Sequence, residues 1–262
     1  MLLFVLEFSG AVPILALFAI FAFLVFRWGR RTWEQFQQHN AAREQMARTL
    51  GFAFFPQDTF GLTKQLKSFD LFRRERHWFG GGGNITNLMR SKVGDTDVYL
   101  FDYAYVISTG KSTRTVRQTV FFADDKQWFL PNFRLKPETW WHKVLGKIGT
   151  HREIDFPENP DFSDKFWLTS EFEQLTRQTF SPAVQAFLAE RPPVHMEGNN
   201  FYFLAYKPGK ILNAAEARTF FEHCCALTEV LKKEGGQEEL LQLVELKKEE
   251  AEVAVPEAVR RS

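Results

Sequence analysis

The 262-residue chain reads as an α+β protein in which an N-terminal transmembrane helix is followed by an antiparallel β-sheet domain with packed helices. Three observations predict this. Residues 8–26, "FSGAVPILALFAIFAFLVF", are almost wholly apolar. From residue 52 onward, aromatic and β-branched runs separated by turn signals dominate, and most of them arrange as hairpins. Helical periodicity appears around those runs without the strict strand–helix alternation of a doubly wound sheet.

The apolar run comes first. Its length corresponds to roughly 28 Å of helix, close to the ~30 Å hydrocarbon core of a bilayer. Glu7 is the one charge in residues 1–26, and Arg27, Arg30 and Arg31 follow directly. A secretory leader carries its basic residues before the apolar stretch, so this order argues against cleavage. The three arginines are the topology signal: they place the N-terminus outside and residues 32–262 in the cytoplasm, as a single-pass protein of the plasma (inner) membrane. The lipid bilayer is then the partner of residues 8–26. Trp28 and Trp33 fall where aromatic rings settle at an interface. Cys224 and Cys225 are adjacent on a helical stretch and suit a disulfide poorly, which agrees with a reducing compartment.

Four segments follow from this pattern: a tail and transmembrane helix over 1–31, a juxtamembrane helix over 32–50, an α+β domain over 51–236, and a short amphipathic helix with a flexible tail over 237–262. The juxtamembrane stretch spaces Trp33, Phe36, Ala42, Met46 and Leu50 helically and stops at Gly51. Strands are expected at 52–55, 71–74, 85–93, 97–108 and 113–123, with a second hairpin across 194–206. Helices are expected at 137–145, 170–180, 182–190 and 213–233.

"ISTGKST", residues 107–113, contains the tail of a phosphate-binding loop. The position of that motif's first glycine holds Tyr105, and "RTVRQTVFFA" after it is a strand, so no helix N-terminus awaits a phosphate. Gly110-Lys111 suits a two-residue hairpin turn instead. That turn pairs Thr109 with Ser112, sets Asp102 opposite Thr119 and Ala104 opposite Arg117, and makes an Asp102–Arg117 ion pair the expected partner for a carboxylate on an apolar face.

Other candidate chemistry is sparse. The net charge is +1, and residues 1–31 carry three Arg against one Glu, which leaves the domain near −1. Such a domain lacks the basic footprint of a nucleic-acid binder. Arg73, Arg74 and Arg76 cluster among aromatics and are the candidate lipid contact, although a solvated strand edge protected by charge is the preferred explanation of them. The glycines of "WFGGGGN" lack the Lys and helix of a phosphate cradle. His223, Cys224 and Cys225 are consecutive and splay around a helix rather than converge on zinc. Asp155, Glu158, Asp161 and Asp164 recur every third residue without the glycine and terminal Glu of a calcium loop, and read as an acidic loop. No catalytic, metal or cofactor-binding residue is assigned.

The segments "LGFAF", "FDYAY", "QTV", "LPNFRLKPE", "IDF", "PDFSDKFWL" and "VHMEGNNFYFLAYKP", in this order behind the apolar run, resemble an uncharacterised family of bacterial single-pass membrane proteins with an α+β cytoplasmic domain. The likeness covers about residues 50–231. It implies a bacterial membrane location and supplies no activity. The function best supported by the sequence is a membrane-tethered cytoplasmic protein-interaction or regulatory module. A membrane-proximal lipid or small-ligand domain, and an enzyme whose site is assembled from distant residues, stay open as alternatives.

Overall fold

The hairpin register read from the Gly110-Lys111 turn is the register of the sheet. In this computed structural model, which describes residues 3–73, 83–108, 111–138 and 153–234, with side chains described from residue 16, β3 (Thr96–Ser108) pairs antiparallel with β4 (Thr113–Asp124). Asp102 lies opposite Thr119 and Ala104 opposite Arg117. Residues 109–110 lie outside the described residues. Around this pair, β1 (Ala53–Gln57), β2 (Asn84–Val93), β5 (Leu130–Pro137), β6 (Phe166–Ser170), β7 (His195–Asn200) and β8 (Tyr202–Tyr206) complete an eight-stranded sheet. Its order is β1-β2-β3-β4-β8-β7-β5-β6, and every neighbouring pair is antiparallel. The fold is α+β.

The chain divides into two compact units, Met1–Met46 and Ala47–Ser262. One helix, α1, runs from Leu3 to Leu50. It stops at Gly51, whose φ of +70° reverses the chain while the Gly51 and Phe52 N–H groups donate to the Arg48 and Ala47 carbonyls, a glycine-ended helix terminus. Among the described residues no helix is long and apolar enough to cross a membrane, and this corrects the reading of residues 8–26 as a single-pass transmembrane helix. From Arg27 to Leu50 the helix carries Arg27, Arg30, Arg31, Glu34, Arg43, Glu44 and Arg48, so this half of it is polar and offers no apolar span.

The second unit covers both faces of its sheet. Alternation along β3 sends Tyr99, Phe101, Tyr103 and Tyr105 to one face, where α2 (Leu62–Gln65), a 3-10 turn (Leu66–Ser68) and α3 (Asp70–Arg73) lay Leu62, Leu66, Phe69, Leu71 and Phe72 on them. Phe72 meets Tyr103 with ring centroids 4.3 Å apart. The opposite face carries Phe121, Phe133 and Phe203 and is covered by α4 (Pro160–Lys165), α5 (Glu173–Thr179), α6 (Pro182–Ala189) and α7 (Ala214–Glu234). Ala217, Phe220, Phe221, Cys224, Leu227, Thr228 and Leu231 form the buried stripe of α7 at helical spacing.

Four expectations change. Residues 71–73 form the helical turn α3 rather than a strand, and residue 74 lies outside the described residues. Pro137 ends β5 instead of opening a helix, while most of the expected 137–145 helix falls on residues outside the description. Ser170 closes β6, so the following helix starts at Glu173. The acidic stretch 155–164 is partly helical, because the Asn159 side chain accepts from the Phe162 N–H and Pro160 fits the first helical position. The expected 237–253 helix and the glycine run to residue 82 lie outside the described residues.

Gly198 is required by packing. It faces Phe133 across the β5–β7 pair, and a Cβ at this position would overlap the ring of Phe133, which is itself held edge-on to Phe180 at 4.9 Å. Gly198→Ala therefore lowers stability by about 2 kcal/mol, and Phe133→Leu in the same chain recovers part of the loss. Denaturant unfolding of the single and double variants measures both; an unchanged midpoint for Gly198→Ala would contradict this packing.

Candidate functional site

Among the described residues, three buried acids sit on or beside the sheet, and each is held differently. Glu197 on β7 points to the same face as its cross-strand neighbour Arg134 and its diagonal neighbour Tyr206. It is 5% exposed. Its Oε2 accepts from the Asp70 N–H at 2.6 Å, and its Oε1 accepts from the Leu71 N–H at 3.3 Å and from the Tyr206 hydroxyl at 3.1 Å. The first N–H groups of a helix have no partner within it, and here a carboxyl 127 residues away supplies one to the start of α3.

Charge around Glu197 is already committed elsewhere. Arg134 Nη1 lies 2.9 Å from Asp70 Oδ2, so the nearest cation pairs with the neighbouring acid. Burial pushes the Glu197 carboxyl above its ordinary value and Asp70 adds to this, against the Asp70 N–H, the Tyr206 hydroxyl and Arg134. His195, half-buried, stacks obliquely on Tyr206 at 5.3 Å, so carboxyl, phenol and imidazole follow one another along the β7–β8 pair. Arg134 also lines a small notch with Asn132, Thr169, Ser170 and Glu171. The arrangement can retain a proton inside the fold, a property shared by many active-site carboxyls. Its hydrogen bonds tie the 62–73 segment to the sheet.

Asp102 occupies the other face. Its Oδ1 accepts from Thr119 Oγ1 at 2.8 Å and its Oδ2 from Asn87 Nδ2 at 3.1 Å. Thr119 Oγ1 in turn accepts from the Leu212 N–H at 3.0 Å, joining β4 to the loop before α7. Asn87 stands in a β2 irregularity with φ of +52°, a conformation that Asn tolerates better than most residues. Arg117 is exposed. Where an Asp102–Arg117 ion pair was expected, the neutral donors Thr119 and Asn87 hold the Asp102 carboxylate.

Asp125, 1% exposed, is the third acid. Lys232 Nζ lies 2.6 Å from its Oδ2, Thr96 Oγ1 donates to the same oxygen at 2.7 Å, and the Gln127 N–H donates to Oδ1. Burial alone would raise this carboxyl, but Lys232, Thr96 and the Gln127 N–H together hold it below the usual carboxylate range. The last turn of α7 is fastened through it to the turn opening β3.

Of the sequence-assigned residues, Arg27, Arg30 and Arg31 are exposed along α1, with Arg30 Nε 3.0 Å from Glu34 Oε1. Arg73 is exposed and its Nη2 donates to the Ser68 carbonyl at 2.8 Å. Arg74 and Arg76 lie outside the described residues. His223 is held down to about 4, first by burial and then by Arg191 and Lys207. Cys224 is buried, and burial pushes the Cys225 thiol up to about 12. Among the described residues no group of three or more His, Cys, Asp or Glu is placed to hold a metal. Sequence reasoning missed Glu197, Asp125 and Lys232. The available signal was a glutamate among inward-facing positions of "HMEGNNFYFLAY".

Because the folded Glu197 carboxyl sits above its unfolded value, its contribution to stability is fully present below the unfolded value and disappears as pH rises through the folded one. The wild-type protein should therefore gain stability relative to Glu197→Gln as pH falls from neutral toward 4.5. Parallel urea titrations at several pH values measure the difference. A gap that widens toward alkaline pH contradicts the assignment.

No family model and no curated protein matches the chain. A solved structure, the crystal structure of the mycobacterial trehalose monomycolate transport factor A, TtfA, is similar over 72% of this chain and 93% of its own, at 14% identity and a TM-score of 0.45.

Proposed function

We propose that the chain is a membrane-associated interaction module, with lipid as the partner of residues 8–26 and the sheet unit on the cytoplasmic side as the part that meets a protein partner. One observation carries the lipid reading. Leu17, Phe18, Ile20, Phe21, Phe23, Leu24, Val25 and Phe26 are between 49% and 69% exposed, and they surround the helix rather than forming one stripe. Water-exposed apolar area costs roughly 25 cal/mol per Å², so a face this large calls for an apolar environment. Arg27, Arg30 and Arg31 follow directly, and basic residues beside an apolar segment favour the anionic cytoplasmic leaflet at about 1 kcal/mol each.

The protein-partner reading rests on the exposed rim of the sheet unit, where Phe60 is 45% exposed, packs edge-on to Phe55 at 4.7 Å and lies under the Arg90 guanidinium at 5.4 Å. Aromatic rings with an arginine are the residue types that dominate protein interfaces energetically. Fractionation of cells making the intact chain should leave it with membranes at physiological salt, and cross-linked purification should recover a reproducible partner that Phe60→Ala with Arg90→Ala loses. Recovery of the intact chain in the soluble fraction would remove the lipid reading.

A further inference from the structure

Among the described residues, β3 and β4 continue beyond the rest of the sheet as a two-stranded ribbon. β2 leaves β3 at Ala104 and β8 leaves β4 at Val120, whereas the β3–β4 pairing runs on to Ser108 and Thr113. Tyr103 and Tyr105 are still buried. Past them Val106 and Ile107 are 48% and 42% exposed on β3, and Lys111, Arg114 and Arg117 are exposed on the β4 side. Ile107 faces Arg114 across the ribbon, and Ala104 faces Arg117. No acidic residue occurs between Asp102 and Asp124, so the ribbon carries cations without internal compensation.

Two simpler roles leave part of this unexplained. Charge on a sheet edge discourages edge-to-edge pairing and accounts for the lysine and arginines, but that purpose is not served by an exposed Val-Ile pair beside them. Single-stranded nucleic acid would use aromatic rings as stacking platforms, and the ribbon's tyrosines are turned into the core. An apolar pair flanked by cations matches a surface with phosphate outside and hydrocarbon beneath.

We propose that the projecting β3–β4 ribbon is a contact for an anionic phospholipid surface, with Lys111, Arg114 and Arg117 meeting headgroup phosphates and Val106 and Ile107 entering the boundary with the acyl chains. The contact belongs to the sheet unit and does not depend on residues 8–26. It differs from the Arg73-centred cluster, since Arg73 is turned onto the Ser68 carbonyl. Each basic residue near such a surface is worth roughly a fivefold change in partitioning, so loss of all three weakens the contact on the order of a hundredfold.

The test is amide hydrogen exchange on the intact protein, mixed with phosphatidylcholine vesicles with or without phosphatidylserine, each sample also floated on a density gradient. Exchange in the ribbon should slow with the anionic vesicles, much less with the neutral ones, and recover in high salt. Lys111→Gln, Arg114→Gln and Arg117→Gln together should abolish that slowing while exchange in α7 stays unchanged. Protein that floats with its ribbon unprotected overturns this proposal and leaves the lipid reading of residues 8–26 intact. Equal protection by neutral and anionic vesicles, or protection by a short RNA and by no vesicle, also overturns it. Ribbon protection that persists when Leu17, Phe21 and Leu24 are changed to Gln supports it even if flotation by the helix fails.

Discussion

The second unit depends on one constraint: its sheet is covered on both faces, so the β3–β4 register decides what every layer receives. A slip of one residue would exchange Tyr99, Phe101 and Tyr103 with Leu100 and Asp102, placing a carboxylate under Phe72 and three rings against the opposite cover. With both faces buried, a polar side chain on a central strand has no water to turn to and must find its partner in a covering segment. Gln118 shows the rule. It is fully buried, and its Oε1 accepts from the Gly209 N–H at 3.1 Å. Asp102, through Thr119, reaches Leu212, and Glu197 reaches Asp70 and Leu71. The buried polar residues are thus the points at which loops and short helices are pinned to the sheet.

This division explains how far the sequence could be read. The β3–β4 and β7–β8 hairpins were legible because their alternation and turn residues are local, and α6 and α7 because apolar spacing and Pro182 mark them. Residues 71–73 misled because "LFR" has strand-like composition, whereas the conformation is settled by Glu197, far away in the chain. β5 was hidden by Pro131 and Pro137, which read as breaks; its irregular pairing with β7 between Leu130 and Phe133 accommodates the first, and the second stands at its end. β6 is five residues long, too short for its alternation to stand out, and its last residue, Ser170, reads as the start of the helix after it. The candidate site was the least legible part. Its residues come from β5, β7, β8 and α3, and no spacing along the chain encodes that meeting.

The buried acids behave in opposite ways because their counter-charges are placed differently. Asp125 has Lys232 at 2.6 Å, which outweighs burial with the help of two further donors. Glu197 has the neighbouring acid Asp70, and the nearby arginine, Arg134, is drawn to Asp70. The first is a fastener that requires ionisation. The second is a fastener that tolerates a proton, since a protonated Oε1 can donate to the Tyr206 hydroxyl while Oε2 keeps the shorter bond from Asp70.

These two acids and His223 act in different pH windows. As pH falls from neutral, Glu197 adds stability until its unfolded value is passed. His223, depressed to about 4 from 6.5, opposes it over much of the same range, because the unfolded chain binds that proton first. Asp125 enters later: its lowered carboxyl keeps its full contribution above 3.8 and loses it only as pH drops through the folded value. Mild acid therefore sets the buried Glu197 and the half-buried His223 against each other, whereas strong acid attacks the Asp125–Lys232 fastening with no such opposition. Acid should release the end of α7 from the turn opening β3 before it disturbs the Glu197 attachment of α3, because only the former depends on a carboxylate that must stay charged.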